Sequence, residues 1–313
     1  MKLAPIILFV YNRPGHTRRT LEALAQNELA DSSDLYIFCD GIKDAHSKEN
    51  INAIMEVRRI CKAQQWPSKL IIHEQEKNIG LSQSVINGIG EVLKTHESVI
   101  VLEDDIVTQK YFLQFMNQAL NLYADDSKVF GVSGYKYPTS ANVDVDSFFL
   151  PIGCSWGYGI WRRSWKKISF KGDDLLSKIE KRSLKKKINF GGYPFYEMLQ
   201  DQVNGKVDSW AIRFYASMFL EKGIFLFPNV SLVENIGFDN SGTHFTDDNF
   251  FGKSVNLSHE LVLEKKLPTK LDPFIVKGTR KEFERNSNKA RASKGGLLVR
   301  KVKSKINRFL SIL

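Results

Sequence analysis

Short apolar runs alternate along the first 135 residues with longer segments in which apolar residues recur at helical spacing. Strands alternating with helices imply right-handed crossovers and parallel strand pairing. The pattern therefore predicts an α/β protein with a Rossmann-like, mostly parallel sheet flanked by helices. The predicted strands are Ile6 to Val10, Leu35 to Cys39, Leu70 to His73 and Val99 to Leu102. The predicted helices carry Leu21 and Leu24, then Ile51, Ile54, Val57, Ile60 and Cys61 behind a capping Ser47, then Leu81, Val85, Ile89, Val92 and Leu93.

The run Val99 to Leu102 is apolar at four successive positions and then ends in Glu103, Asp104 and Asp105. An unbroken apolar run is typical of a central strand buried on both faces, and ligands of such sheets bind beyond the carboxyl ends of the strands. Three adjacent carboxylates offer hard oxygen ligands to Mg²⁺ or Mn²⁺, which can hold a diphosphate. The alternative is that the acidic residues cap a following helix, expected to begin near Thr108.

Beyond the acidic run, the pattern predicts further helices and strands around a stretch of unusual composition. Glycines alternate with aromatic residues from Gly153 to Trp161. Such spacing suits a wall packed against a sugar or base, or an ordinary aromatic core beside a tight turn, and the sequence leaves both open. The predicted elements are helices at Tyr111 to Tyr123 and Asp208 to Glu221, strands at Val129 to Tyr135 and Phe225 to Pro228, and a solvated, lysine-rich helix face at Lys178 to Lys187.

The net charge of +10 is concentrated at the end of the chain. Residues 277–313 contain twelve Lys or Arg and two Glu, which leaves 33 basic and 33 acidic residues before them. The body is therefore neutral overall, which argues against a nucleic-acid-binding protein. Within the tail, Val299, Val302, Ile306, Phe309 and Leu313 follow helical spacing between basic residues. This pattern predicts a basic amphipathic helix on an anionic membrane surface, or alternatively a stripe that packs on the body or on another subunit.

Cysteine content and hydropathy bear on the compartment. The three cysteines, Cys39, Cys61 and Cys154, form no CxxC pair and are too few for a disulfide framework. The chain enters a strand pattern at once and has no apolar run of transmembrane length. We therefore expect a cytoplasmic protein that lies on the inner face of the cell membrane through its tail.

Several motifs in a shared order resemble those of the N-acetylglucosaminyltransferase I family. These are inverting glycosyltransferases of the A-type fold that use a UDP-sugar and Mn²⁺. The resemblance runs from Ile6 to about Phe245. Its motifs are Tyr11-Asn12-Arg13, Phe38-Cys39-Asp40-Gly41, the run ending in Glu103-Asp104-Asp105 with Tyr111-Phe112 after it, Gly153 to Trp161, Asp208-Ser209-Trp210, and Pro228 to Phe245.

The resemblance implies a role for each matched residue. Asp40 would contact the uracil, Arg13 the diphosphate, Glu103 and Asp104 the sugar and ribose, and Asp105 the metal. Donor-binding roles also fall to Tyr11, Leu81 and Trp156. For Arg13 the alternative is a surface residue at a helix start, and for Asp40 it is a turn residue before glycine.

Two further residues receive functional predictions. Asp208 would be the general base that takes the proton of the acceptor hydroxyl, or it caps the helix carrying Trp210, or it does both. His244 would lie near the metal or diphosphate in a lid, Asn235 to Phe245, that orders over the donor. For His244 the alternative is a solvated loop histidine.

The combined prediction is a metal-dependent, inverting glycosyltransferase with Mn²⁺ or Mg²⁺ as cofactor. It would move GlcNAc or a related hexose from a UDP-sugar to a glycan or lipid-linked acceptor in surface polysaccharide synthesis, since the membrane anchor of eukaryotic family members is not seen here. Residues 1–135 would form the nucleotide-sugar half, 136–276 the acceptor and catalytic-base half, and 277–313 the tail. Two alternatives are a non-catalytic, membrane-associated nucleotide- or glycan-binding protein, and a nucleotidyltransferase, for which Asn12-Arg13-Pro14-Gly15 makes a poor triphosphate loop.

Overall fold

The computed structural model of the protein describes residues 3–43, 47–63, 66, 68–238, 261, 263 and 265–292. Eight strands form one sheet, and two short strands pair beside it. The strands are β1 (Ile6–Val10), β2 (Leu35–Cys39), β3 (Leu70–Glu74), β4 (Ser98–Glu103), β5 (Ile106–Thr108), β6 (Val129–Ser133), β7 (Ser147–Leu150), β8 (Tyr158–Trp161), β9 (Ile224–Pro228) and β10 (Val233–Asn235).

The strand order in the main sheet is β3-β2-β1-β4-β8-β6-β9-β7. Strands β8 and β7 run opposite to the other six, so the sheet is mixed but mostly parallel. β4 lies between β1, where Ile100 is opposite Ile6, and β8, where Val101 is opposite Tyr158. The prediction of a central strand ending at Glu103 is confirmed.

Helices cover the sheet, and the predicted α/β fold class is confirmed. The apolar positions used to predict them, such as Leu21, Leu24, Val57 and Ile89, are fully buried in the core. The helices are α1 (Pro14–Ala25), α2 (Lys48–Ala63), α3 (Leu81–Val92), α4 (Phe112–Leu122), α5 (Arg162–Trp165), α6 (Gly172–Lys181), α7 (Lys185–Ile188), α8 (Phe195–Val203), α9 (Trp210–Leu220) and α10 (Pro273–Ala292), with a short 3₁₀ turn at Ala30–Ser32.

The segment after the acidic run differs from one expectation. No helix begins near Thr108, because that residue ends β5, which pairs antiparallel with β10. The next helix, α4, begins at Phe112 and has no side-chain cap. The acidic residues therefore do not serve as a helix cap, and they lie in a tight turn between two strands.

The last described helix crosses the predicted boundary at residue 277. Phe283 of α10 is buried against the rings of Tyr137, Phe190 and Tyr193, so the first part of the basic segment is packed on the body. The amphipathic stripe at residues 299–313 lies outside the described residues, and the three-part division of the chain stays a prediction. Among the described helices, none combines the length and apolar character needed to cross a bilayer.

Candidate functional site

The acidic run lies at the carboxyl edge of the sheet and is held there through its backbone. The carbonyl of Asp104 accepts a hydrogen bond from the Thr20 hydroxyl of α1 at 2.8 Å. The carbonyl of Asp105 accepts one from the amide of Ile236 at 2.9 Å. Helix α1 and the segment after β10 therefore fix the turn that carries the carboxylates.

Arg13 joins the two aspartates. Its guanidinium donates to both oxygens of Asp104, with a 3.3 Å contact from Nε, and to Oδ2 of Asp105 at 3.0 Å. Since β1 and β4 are parallel neighbours, the loop after β1 meets the turn after β4 at one edge. The side chains of Arg13, Asp104 and Asp105 are 19%, 5% and 14% exposed, so the cluster is largely shielded from water.

Burial and neighbouring charges shift the pKa values of the cluster. Burial, reinforced by the charges of Asp105 and Asp104, raises the pKa of Glu103 well above its usual range. Burial also raises the pKa of Asp104 to about 6, although Arg13 opposes this shift. Burial disfavours the charged form of Arg13, but the two aspartates outweigh it and raise the pKa of the guanidinium. One guanidinium thus faces three carboxyl groups, and a further cation would relieve their repulsion.

The segment Ile236–Phe238, here called the cover segment, lies against this cluster. A Cβ on Gly237 would fall 2.3 Å from Oδ2 of Asp105, so a larger residue requires Asp105 or the backbone to shift. The carbonyl of Ile236 lies 3.3 Å from Nε2 of His16, and the ring of Phe238 packs edge-on against Trp156 at 5.6 Å. The cover segment belongs to the predicted lid, of which residues 239–245, including His244, lie outside the described residues.

The close approach of Gly237 gives a direct test of the cover segment. Gly237→Ala would force either Asp105 or the backbone at 237 to move, so we expect affinity for UDP in the presence of Mn²⁺ to fall by at least about 10-fold. Isothermal titration calorimetry measures this affinity. Gly90→Ala in α3 is the matched control, because its added methyl group would meet only an ordinary contact with Trp165 at 3.8 Å. Equal affinities for the two variants would contradict a role for the cover segment.

Asp40 organises the start of α3. Its Oδ1 accepts hydrogen bonds from the amides of Gly41 and Ile79 at 2.7 and 2.9 Å, and its Oδ2 accepts from the Asn78 amide group and the Gly80 amide at 2.9 and 3.0 Å. This buried carboxylate therefore closes the loop that leads into α3, and a contact with a base would have to be made in addition to these bonds.

The other residues predicted to contact the donor near this loop lie close by. Leu81, the first residue of α3, is 47% exposed. Tyr11 lies near enough to Asp40 that burial and the charge of that carboxylate raise its pKa. The donor-binding roles of Tyr11, Asp40 and Leu81 stay predictions.

The glycine-aromatic stretch forms aromatic core in this structure. Trp156 is 2% exposed and packs between Tyr135, at 4.7 Å, and Phe238 of the cover segment. Gly157 has a positive φ of 58°, and a Cβ there would lie 2.9 Å from Val233 of β10. The glycine thus allows β10 to approach β8. A donor-facing role for Trp156 stays a prediction.

Asp208 lies beside the start of α9, and Ser209 caps that helix by accepting from the amide of Ile212 at 3.3 Å. The capping alternative for Asp208 is therefore wrong. The Asp208 side chain is 66% exposed, and its Oδ1 accepts from Arg213 at 3.1 Å.

Trp210 stacks on Tyr158 at 5.8 Å, and burial together with the charge of Glu103 raises the pKa of Tyr158. These contacts bring the start of α9 to the same edge of the sheet as Glu103.

Three residues of this region have no role in the analysis of the sequence: His16, Tyr158 and Arg213. His16 follows Arg13 by three residues on α1, so helical spacing could have indicated it. Tyr158 belongs to the glycine-aromatic stretch, for which the sequence allows either an aromatic core or a wall against a ligand. No local pattern marks Arg213, because it contacts Ser82 and Phe170, which lie far away in the chain.

The donor set fits a divalent cation only in part. Of the four oxygens of Asp104 and Asp105, Arg13 contacts three, which leaves Oδ1 of Asp105 for a metal while the guanidinium stays in place. Within the described ranges, no three His, Cys, Asp or Glu side chains are grouped as metal ligands. The carboxylate chemistry suits Mn²⁺ or Mg²⁺, with Asp105 as the available ligand.

Comparisons with known proteins bear on the fold only. No protein-family profile and no curated protein sequence matches the chain. Solved structures do match: the mannosyltransferase PcManGT from Pyrobaculum calidifontis, crystallised with GDP-Man and Mn²⁺, is 15% identical over 57% of this chain with a TM-score of 0.36. Mouse xyloside xylosyltransferase 1 is 11% identical over 71% of this chain and 82% of its own, with a TM-score of 0.37. A UDP-glucose pyrophosphorylase bound to UDP-glucose is 11% identical over 71% of this chain and 90% of its own, with a TM-score of 0.35.

The matched region covers only part of the mannosyltransferase. The match spans 47% of the mannosyltransferase chain. The three proteins include both sugar transferases and a pyrophosphorylase, and similarity at this level assigns no reaction to this chain.

Proposed function

We propose that the protein is a metal-dependent, inverting glycosyltransferase that moves GlcNAc or a related hexose from a UDP-sugar to a glycan or lipid-linked acceptor. The observation that carries the proposal is the cluster of Arg13, Asp104 and Asp105 at the carboxyl end of the central strand. A guanidinium can bind phosphate oxygens in a bidentate manner, and a carboxylate pair can share a cation with a diphosphate.

In this proposal each residue of the site has its own role in binding the donor or in proton transfer. Arg13 would bind the diphosphate of the donor, and Asp105 would hold the metal. The metal, when bound, supplies positive charge to the leaving diphosphate. The cover segment would shield the donor from water. Asp208 accepts the proton of the attacking acceptor hydroxyl.

One observation favours the non-catalytic alternative, a nucleotide- or glycan-binding protein on the same fold. Arg13 already neutralises part of the acidic cluster, so the fold needs no metal to hold these carboxylates together. Under either proposal the basic stripe at residues 299–313 would place the protein on an anionic membrane, with no nucleic acid as partner.

Donor hydrolysis tests the proposed function without knowledge of the acceptor. We expect slow hydrolysis of one or more UDP-sugars that depends on Mn²⁺ and stops when the metal is chelated. Product formation is followed by release of UDP across a panel that includes UDP-GlcNAc and UDP-glucose. Tight binding of UDP without hydrolysis of any donor would favour a non-catalytic nucleotide-binding protein, and absence of UDP binding would contradict the proposed transferase.

A further inference from the structure

Arg213 has contacts that the proposed reaction does not yet explain. Its side chain is 13% exposed, whereas the only carboxylate that it meets in the described part of the chain, Asp208, is 66% exposed. Burial lowers the pKa of Arg213, and the charge of Asp208 opposes that shift. Burying a guanidinium beside a single exposed partner is costly, and exposed ion pairs contribute little to stability.

The guanidinium ties two other segments of the chain to the start of α9. Within α9 its Nε donates to the carbonyl of Ser209 at 2.9 Å. Another nitrogen donates to the carbonyl of Phe170, in the loop before α6, at 3.2 Å. The third nitrogen donates both to the Ser82 hydroxyl of α3 at 2.5 Å and to Oδ1 of Asp208 at 3.1 Å. These contacts use four of the five N–H groups of the guanidinium.

The link to α3 connects Asp208 with the nucleotide half of the sheet. Ser82 follows Gly80 by two residues, and the amide of Gly80 donates to Asp40 at 3.0 Å. A short series of contacts therefore runs from Asp40 through the start of α3 to Arg213 and Asp208. Any shift of α9 relative to α3 would strain the hydrogen bond between Ser82 and Arg213.

The Asp208 carboxylate is held at one of its two oxygens. Arg213 holds Oδ1 of Asp208, and among the described residues Oδ2 accepts no hydrogen bond. A base whose one oxygen is held by a third group while the other faces outward is aimed for proton transfer. An exposed aspartate without such a partner would sample several rotamers.

We propose that Arg213 is a positioning residue that aims Asp208 and fixes its distance from the start of α3. The proposal rests on the proposed function, in which Asp208 is the general base. Arg213 acts through Asp208 and touches no reacting atom. Its removal therefore affects turnover only while the Asp208 carboxylate is present.

A double-mutant cycle tests this dependence. The variants are Arg213→Met, Asp208→Asn and the double mutant, compared with the wild-type full chain in Mn²⁺-dependent hydrolysis of UDP-GlcNAc, or of another UDP-sugar if the panel favours it. We expect Arg213→Met to lower kcat by about 10²-fold, the usual loss for a misplaced group, with KM and the calorimetric Kd for UDP nearly unchanged. In the Asp208→Asn background the same change should have almost no further effect on kcat.

Two milder variants keep the test informative if Arg213→Met unfolds. Arg213→Lys retains the charge and should recover part of the lost turnover, and Ser82→Ala removes only the contact to α3 and should lower kcat a few-fold. Both effects should vanish in the Asp208→Asn background. Melting temperatures are recorded for every variant, since a merely structural role would lower these temperatures equally in both backgrounds.

The outcomes distinguish a failure of the positioning role of Arg213 from a failure of the assignment of Asp208 as the general base. If Asp208→Asn leaves kcat within a few-fold of the wild type, the assignment of the base is wrong and the role of Arg213 is overturned with it. If Asp208→Asn lowers kcat but the Arg213 variants lower it by the same factor in both backgrounds, Arg213 acts independently. In that case the inference alone is overturned, and the proposed function stands.

Discussion

Asp208→Asn is expected to lower turnover by roughly 10²- to 10⁴-fold, the usual contribution of a positioned general base. The amide keeps the shape of the side chain and an oxygen for Arg213, but it cannot take a proton from the nucleophile, which is the acceptor hydroxyl in transfer and water in donor hydrolysis. Since Ser209 caps α9, the change leaves the helix cap intact. The pair with Arg213 involves an exposed carboxylate, so we expect a change of at most about 1 kcal/mol in the free energy of unfolding.

The measurement combines steady-state kinetics of donor hydrolysis with thermal unfolding. Asp201→Asn is a matched control. Asp201 lies in the neighbouring helix α8, and its Oδ1 likewise pairs with a cation, Nζ of Lys206, at 2.6 Å. The control should retain wild-type turnover. Turnover of Asp208→Asn within a few-fold of the control would mean that the base lies elsewhere, while equal loss in both variants would indicate a general effect of removing carboxylates.

Asp105→Ala is expected to weaken metal-dependent binding of UDP by at least about 10²-fold, because changes in residues that merely orient a metal ligand already cost up to that factor. Of the two aspartates in the cluster, the variant removes the one with an oxygen that Arg13 does not contact. Asp104 keeps its contacts with Arg13, and one of the mutually repelling charges is lost. The apoprotein should therefore unfold at a temperature close to that of the wild type.

Calorimetry with UDP, in the presence and absence of Mn²⁺, measures this effect. Asp125→Ala is the control, since this exposed aspartate lies in the turn between α4 and β6, at the opposite edge of the sheet. We expect Mn²⁺ to increase the affinity of the control for UDP and to leave that of Asp105→Ala nearly unchanged. Binding by Asp105→Ala that Mn²⁺ stimulates as strongly as in the wild type would exclude Asp105 as the metal ligand.

The acidic cluster and the start of α9 are positioned by different kinds of contact. Arg13 and the two aspartates come from loops after β1 and β4, whose parallel pairing brings them together. The start of α9 is placed by packing, through Trp210 on Tyr158 and through Arg213 on Ser82. The relative position of base and acidic cluster thus depends on α3, α9 and β8 being correctly packed.

Local patterns in the sequence determined most of the secondary structure and the place of the acidic run. The pattern of apolar residues identified the first strands and helices. A helix buried on one face has apolar residues at helical spacing, and a strand buried on both faces is a continuous apolar run. A run such as Val99–Leu102 can be identified without knowledge of its neighbours, since its own side chains are all apolar. The carboxylates that follow it then belong at the edge of the sheet.

Only the tertiary structure decided which side chains meet at that edge. Arg13 meets Asp104 and Asp105 across about ninety positions, Gly237 meets Asp105 because β10 pairs with β5, and Arg213 meets Ser82 across 131 positions. The same contacts showed that Ser209 caps α9 and that Asp40 closes the loop before α3. Hydrogen bonds and close packing between distant residues leave no periodic signal, because the distance between the partners along the chain is set by whatever elements intervene.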